Sequence, residues 1–232
     1  VKLETLRELN AERAARRPVV VVTDTATGEQ RLVKAKDFAA DPLRAELSKQ
    51  LRMGKSGTIE ANDRKLFLNV YAPTARMVIV GAVHISQALA PLARSLDYDV
   101  TVVDPRTAFA SPERFPDVPL IAEWPDVALP PLNIDHYTAF VALTHDPKID
   151  DPALLHAFER DCFYIGALGS RKTHAKRAER LKAQGAKDGD IARIHAPIGL
   201  SIGAVSPSEI AVAIMAEVTA QLRLPKEKEA AA

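Results

Sequence analysis

The stretch Met77-Val78-Ile79-Val80-Gly81 most narrows what this chain can fold into. An apolar run meets a glycine, and Ala82-Val83-His84-Ile85-Ser86 leads on into a helical pattern that reaches Arg94. A second apolar run, Val100 to Val103, ends in Asp104, 23 positions after Gly81. This is the layout of a βαβ unit that holds a dinucleotide: glycines let the backbone approach a pyrophosphate, and an acid receives ribose hydroxyls. Only the first of the three fingerprint glycines is present. Val83 and Ser86 stand at the other two positions.

From residue 76 onward strands alternate with helices, which predicts a parallel sheet covered on both faces. The expected strands are 77–81, 99–103, 119–121, 138–143, 162–165 and a short one near 193–196. The expected helices are 85–96, 111–115, 152–160, 172–184 and 206–222. The fold class is therefore α/β, a Rossmann-like sheet over residues 76–222. A small α+β region precedes it over residues 1–75. There the pattern predicts a helix over 3–17 ending in Arg13, Arg16 and Arg17, strands at 19–23 and 31–33, a helix over 42–52 capped by Asp41, and a hairpin of 58–60 with 65–71. Gly54-Lys55-Ser56 follows a helix rather than a strand, so it is not a phosphate loop. Residues 223–232 read as a charged, alanine-rich disordered tail.

Charge and cysteine content exclude several function classes. A net charge of +1 gives no electrostatic reason to expect nucleic acid or a membrane surface as partner. The single cysteine, Cys162, rules out an internal disulfide and a thiolate-rich metal site. Placed within the strand 162–165, it reads as a buried, inert thiol. No apolar run is long enough to span a bilayer, and a cytoplasmic location is the expectation.

In doubly wound sheets ligands sit beyond the carboxyl ends of the strands, and the polar and glycine-rich residues of this half gather there. Gly81 and His84 follow the first strand. Asp104 and Arg106 follow the second, placed for a ribose and an anion, although Asp-Pro is also an ordinary turn starter. Thr144, His145 and Asp146 offer a hydroxyl, an imidazole and a carboxylate suited to proton transfer or anion handling, with a turn into a helix capped by Asp150 or Asp151 as the plain alternative. Gly166, Gly169, Ser170, Arg171 and Lys172 open a helix directly after a strand, so backbone N–H groups and two cations converge on one point. Gly199 lies in a last glycine-bearing loop, before a capping box formed by Ser206 and Glu209.

Taken together, Asp104-Pro105-Arg106, Phe109, Arg114-Phe115-Pro116, Leu143-Thr144-His145-Asp146, Tyr164 to Thr173, Pro197-Ile198-Gly199-Leu200, Ile202-Gly203-Ala204 and Pro207-Ser208-Glu209-Ile210-Ala211 resemble the Rossmann domain of the XdhC/CoxI family. The resemblance spans roughly residues 76–222. It implies an accessory factor that binds molybdenum cofactor (molybdopterin) as cargo and delivers it to a xanthine-dehydrogenase-type molybdoenzyme. A sulfurtransferase and a second copy of this chain, as a homodimer, are further candidate partners. The resemblance also implies an N-terminal domain with a Gly-Ser-x-Pro-Arg-type segment and a cysteine-plus-glycine loop. Residues 1–75 carry neither. The turn here reads Gly-Ala-Val-His rather than the family's commoner Gly-Ala-Gly-His, which weakens the expectation of NAD(P).

Two other readings stand beside that one. The first is an NAD(P)-dependent oxidoreductase using Asp104 for ribose and His145 as proton donor. The second is a ligand-free scaffold whose rim contacts a partner enzyme. A noncatalytic cofactor-binding protein is the favoured expectation.

Overall fold

The computed structural model describes residues 2–225, so the tail expected to be disordered from Lys226 lies outside the described residues. The chain divides into two compact units, one of residues up to Pro73 with those from Arg223 on, the other Thr74–Leu222.

The N-terminal unit is a four-stranded antiparallel sheet in the order β2-β1-β4-β3, formed by β1 (Val19–Asp24), β2 (Gln30–Lys34), β3 (Gly57–Ala61) and β4 (Arg64–Tyr71). Alternation along β1 sorts its valines by face. Val20 and Val22 pack with Leu66, Leu68, Phe38 and Leu47, while Val19 and Val21 meet Leu9 of α1 (Leu3–Ala14). The β3–β4 turn uses Asn62 and Asp63, both at positive φ as a tight two-residue hairpin demands. The helix expected from residue 42 begins later, as α2 (Arg44–Met53). A 3₁₀ segment, Ala35–Ala40, intervenes. Asp41 spends its carboxylate on Arg31 and on the Leu43 N–H at 2.9 Å, closing a turn rather than capping a helix. Ser56 accepts the Val70 N–H at 2.9 Å, so the Gly-Lys-Ser segment is built into this sheet.

The second unit is a Rossmann-type domain. Six parallel strands, β5 (Arg76–Val80), β6 (Asp99–Val103), β7 (Leu120–Ile121), β8 (Thr138–Ala142), β9 (Tyr164–Ala167) and β10 (Ile194–His195), lie in the order β10-β9-β8-β5-β6-β7. Alternation again divides the core. Met77 and Ile79 pack with α3 (His84–Ser95) and α8 (Pro207–Arg223). Val78 and Val80 pack on the other face with α4 (Pro125–Ala128), α5 (Pro147–Glu159), α6 (Arg171–Ala183) and α7 (Asp188–Ile191). The strand order reverses between β5 and β8, which makes their carboxyl ends the switch point where such sheets take ligands.

Several elements depart from the sequence pattern. Residues 111–115 form turns rather than a helix; Phe115 is buried as an anchor, and its N–H reaches Ser111 O at 3.3 Å. Helix α5 starts at Pro147, five residues before the expected position, because Asp146 caps it through the Lys148 N–H at 2.9 Å. Pro152 therefore sits inside the helix and does not open it. The strand expected at 162–165 is β9, shifted to Tyr164–Ala167. Cys162 thus precedes the strand, yet it is buried, and burial pushes its thiol up to about 12. The short helices α4 and α7 have too few residues to show a period.

Candidate functional site

The carboxyl rim of the parallel sheet is built around three carboxylates, Asp104 and Asp150 buried and Glu217 half-buried, and each holds a loop by backbone N–H groups. At the switch point Gly81 adopts a φ of +117°, and a Cβ there would lie 2.9 Å from Thr144 Cγ2. The close approach of two strand ends thus requires glycine, whatever the ligand. The Ala82 N–H donates to Asp104 Oδ2 at 2.7 Å, and buried Ser86 donates its hydroxyl to Gly81 O. Asp104 is fully buried. It also takes a two-pronged bond from Arg106, Nε to Oδ1 at 2.9 Å and Nη2 to Oδ2 at 2.7 Å, and the Arg106 N–H at 2.9 Å. Burial pushes the Asp104 carboxyl up, but the bonds from Arg106 and Ala82 outweigh it and hold the group below its ordinary range. The expected ribose acceptor is therefore occupied in fastening the glycine turn to β6. Arg106, half-buried, lies 4.5 Å above the Phe109 ring centroid. Arg114 reaches Ala82 O at 3.0 Å and completes the frame. His84 is the exposed first residue of α3.

Across the switch point, Thr144 is buried and His145 exposed, the latter at a φ of 62° that side chains other than glycine's rarely adopt. Asp150, 1% exposed, stabilises that turn from below. It accepts the Thr144 hydroxyl at 2.6 Å, the Thr144 N–H at 3.2 Å and the His145 N–H at 3.1 Å. The Thr144 hydroxyl accepts the Asp146 N–H at 3.0 Å, and beyond that bond the three side chains diverge. The threonine belongs to Asp150, the aspartate caps α5, and the imidazole is left exposed at the rim.

Beneath the next loop lies Arg177 of α6, 2% exposed. Its side chain folds back toward the helix start, as helical side chains do. Nη2 donates to Leu168 O at 2.8 Å and stands 3.8 Å from Asp150 Oδ2, while the buried Nε and Nη1 have no partner among the described residues. Burial drives both members of this pair toward neutrality, the Asp150 carboxyl upward and the Arg177 guanidinium downward. Gly169 and the N-cap Ser170, whose hydroxyl accepts the Thr173 N–H at 3.2 Å, carry the chain into α6. Arg171 and Lys172 are exposed on its first turn, where backbone N–H groups lack intrahelical acceptors. An anion fits there: dipole, N–H groups, two surface cations and a buried, under-bonded guanidinium all carry the same sign.

The third carboxylate, Glu217 of α8, organises the β9–β10 edge. It accepts the Tyr164 hydroxyl at 2.6 Å and the Gly199 N–H at 2.9 Å, and its Oε1 lies 3.1 Å from His195 Nδ1. Tyr164 and His195 stack with centroids 4.7 Å apart. Gly166, expected just after its strand, is inside β9, where a Cβ would strike the Tyr164 ring and Ile198. Gly199 is held at a φ of +87° with its Cβ position 3.0 Å from the α8 backbone. Packing alone requires both glycines.

Sequence reasoning reached Gly81, Asp104, Arg106, Thr144 and the α6 start, and missed Tyr164, Arg177, His195 and Glu217. A signal existed for Glu217. It interrupts the apolar stripe Ile210, Ala211, Ile214, Val218 of α8, where a charge needs a buried partner. Among the described residues no group of three His, Cys, Asp or Glu side chains could hold a metal ion, and no helix is long and apolar enough to cross a membrane. A cavity of about 490 Å³ on the N-terminal unit is lined by Asp24, Arg31, Leu43 and Arg64. Its charged groups are engaged with one another and with Asp41, unlike those of the α6 start.

Sheet order, switch point and rim loops define the second unit as a Rossmann domain of the kind that places its ligand outside the strand ends. Residues 77–218 match the XdhC Rossmann domain, and the chain belongs to that family. It is 32% identical over 159 residues to the molybdenum cofactor insertion chaperone PaoD of Escherichia coli, covering 68% of this chain and 43% of that protein. Against a probable xanthine dehydrogenase subunit of Bacillus subtilis it is 32% identical over 154 residues, 66% of this chain and 44% of that one. The same identity extends over 155 residues of YqeB of Escherichia coli, 66% of this chain and 28% of that one. The chain thus spans less than half the length of these relatives. A crystal structure described as a xanthine dehydrogenase from Bacillus halodurans superposes with a TM-score of 0.65 at 25% identity, covering 97% of this chain and 65% of that one.

Proposed function

We propose that this protein is an accessory factor that binds molybdenum cofactor at its carboxyl rim and assists maturation of a xanthine-dehydrogenase-type molybdoenzyme or insertion of the cofactor into it. The relatives named as a cofactor insertion chaperone and a xanthine dehydrogenase subunit support the class. The single observation that carries the reading is the α6 start. Arg171 and Lys172 are exposed on the first turn of α6, above the buried Arg177, two of whose nitrogens have no partner among the described residues. The cofactor is a pterin with a dithiolene and a phosphate or pyrophosphate, and that anionic tail is what this end attracts. His84, His145 and Arg106 then edge the space for the pterin.

A nicotinamide oxidoreductase is disfavoured by the same geometry. Asp104 is fully buried and bonded to Ala82 and Arg106, so it would have to leave both to receive a ribose. The protein acts by holding and handing on, not by turnover. Mass spectrometry of small molecules released from purified protein is the test. A retained pterin is expected, together with about tenfold weaker molybdopterin binding in Arg171→Ala, the loss of one charge-assisted contact. Protein that retains no pterin and binds none when it is added sinks the reading.

A further inference from the structure

The rim holds one constellation to which neither the relatives nor the anion site assigns a role, the Glu217–His195–Tyr164 cluster. We infer that His195 is a proton-transfer group of the rim, aligned by Glu217, and that its ligand carries an acidic thiol or ring N–H as well as a phosphate. This inference rests on the cargo reading above.

Geometry carries the assignment. His195 is the last residue of β10, paired with Gly166 of β9, and stands at the carboxyl end where the ligand binds. Its Nδ1 faces Glu217 Oε1 at 3.1 Å, and its side chain is 27% exposed. A carboxylate on Nδ1 selects the tautomer that carries its proton there, leaving Nε2 with a lone pair. Stacking on Tyr164, 1% exposed, fixes the ring plane. Glu217 is itself held by the Tyr164 hydroxyl and the Gly199 N–H, so it cannot swing away from the imidazole. Enzymes and metal sites use the same carboxylate–imidazole pairing to orient a histidine.

Among the described residues, Glu217 and Tyr164 are the titratable groups in contact with the ring. Burial pushes the Glu217 carboxyl up, yet bonds from His195, Tyr164 and Gly199 outweigh it and leave it below the ordinary range. Burial and the neighbouring carboxylate push the Tyr164 hydroxyl well above its ordinary range. At neutral pH the tyrosine therefore keeps its proton and the glutamate its charge, and Nε2 is the lone-pair acceptor of the cluster. The step is simple. A ligand S–H or N–H gives its proton to Nε2, the bonding pair stays on sulfur or nitrogen, and the imidazolium is neutralised by Glu217. Reversal on release returns the proton.

The glycine sites flanking this cluster show what such a device costs in sequence freedom. Gly166 and Gly199 are both held to glycine by contacts that place Tyr164 and Glu217.

Two measurements on the full chain test the assignment. Nitrogen-15 NMR of the histidine side chains is expected to find His195 with the proton on Nδ1, and Glu217→Gln to shift the ring toward the Nε2–H tautomer. The same spectrum recorded with molybdopterin bound is expected to show both ring nitrogens of His195 protonated, the imidazolium that the step leaves on the protein. In Glu217→Gln, which carries no charge to balance an imidazolium, the bound ring should stay neutral. Binding with the His195 ring still neutral, or an unchanged imidazolium in Glu217→Gln, overturns the role of His195 and leaves the cargo reading standing. No binding at all by the wild type overturns the cargo reading and this assignment with it. A histidine kept only for packing would change neither its protonation on binding nor its tautomer.

Discussion

Asp24 in the N-terminal unit and Asp104 in the Rossmann unit are both buried carboxylates that accept backbone N–H groups, but they differ in reach. Asp24 bonds Ala26 and Thr27, two and three residues on, and so closes its own turn. Asp104 holds Ala82 from 22 residues away, and Glu217 holds Gly199 and Tyr164 from 18 and 53. A local acid orders a turn. A distant one fixes the positions of segments that belong to different strands and helices, and thereby the shape of a surface. The rim is therefore shaped by groups beneath it, and His84, His145, Arg171 and Lys172 are exposed on its surface.

Removing the acids one at a time is the way to break that comparison. Glu217→Ala leaves a buried hydroxyl, a buried N–H and an imidazole without their acceptor, and should cost about 3 kcal/mol in urea unfolding. A loss below about 1 kcal/mol would show that it is no hub. Asp104→Asn should cost about 2 kcal/mol, since Arg106 loses its charged partner. That difference depends on pH with a definite sign. The folded carboxyl titrates below its ordinary range, so its stabilisation is complete above about pH 4 and is lost as the pH falls through the folded value. Melting temperatures of wild type and variant should therefore converge in acid. Asp24→Ala should cost only about 1 kcal/mol, the usual worth of a local side-chain cap, and leave molybdopterin binding unchanged. Arg177→Met should change stability least, within about 1 kcal/mol, because an under-bonded buried guanidinium offsets much of its own ion pair. Its pyrophosphate affinity, by calorimetry, should nevertheless fall several-fold. A large loss of stability with unchanged affinity would make Arg177 a purely structural residue.

The same contrast explains how far the molecule can be read from its residues. Period-two alternation in Val19–Val22 and the apolar runs at 77–80, 100–103 and 138–143 mark their strands because each must bury its faces. Asp24, with Thr-Ala-Thr-Gly following, is a turn legible from neighbours alone. Asp104 is visible as a strand-end acid with Arg106 beside it, but nothing near it in sequence discloses that Ala82, 22 residues earlier, bonds one of its oxygens. Arg177 looks like one more cation in a helix written Arg-Lys-Thr-His-Ala-Lys-Arg, and only the packing of α5 against α6 shows that it is the buried one. His195 and Glu217 stand 22 residues apart on elements of different type, so no local spacing joins them. The start of α5 is ambiguous for a local reason: Pro147 and Pro152 both suit a first turn, and the capping bond of Asp146 decides between them.

The sheet of the Rossmann domain is bounded by β7 and β10, each only two residues long. Any neighbour seeking to extend the ladder would find at most a pair of residues with backbone groups to share, too few to register a strand. Self-association through sheet extension is thus blocked at both margins of the domain. A homodimer of this chain would have to form through helices or loops of this domain, or through its N-terminal unit, and the margin occupied by His195 stays clear of edge-to-edge aggregation.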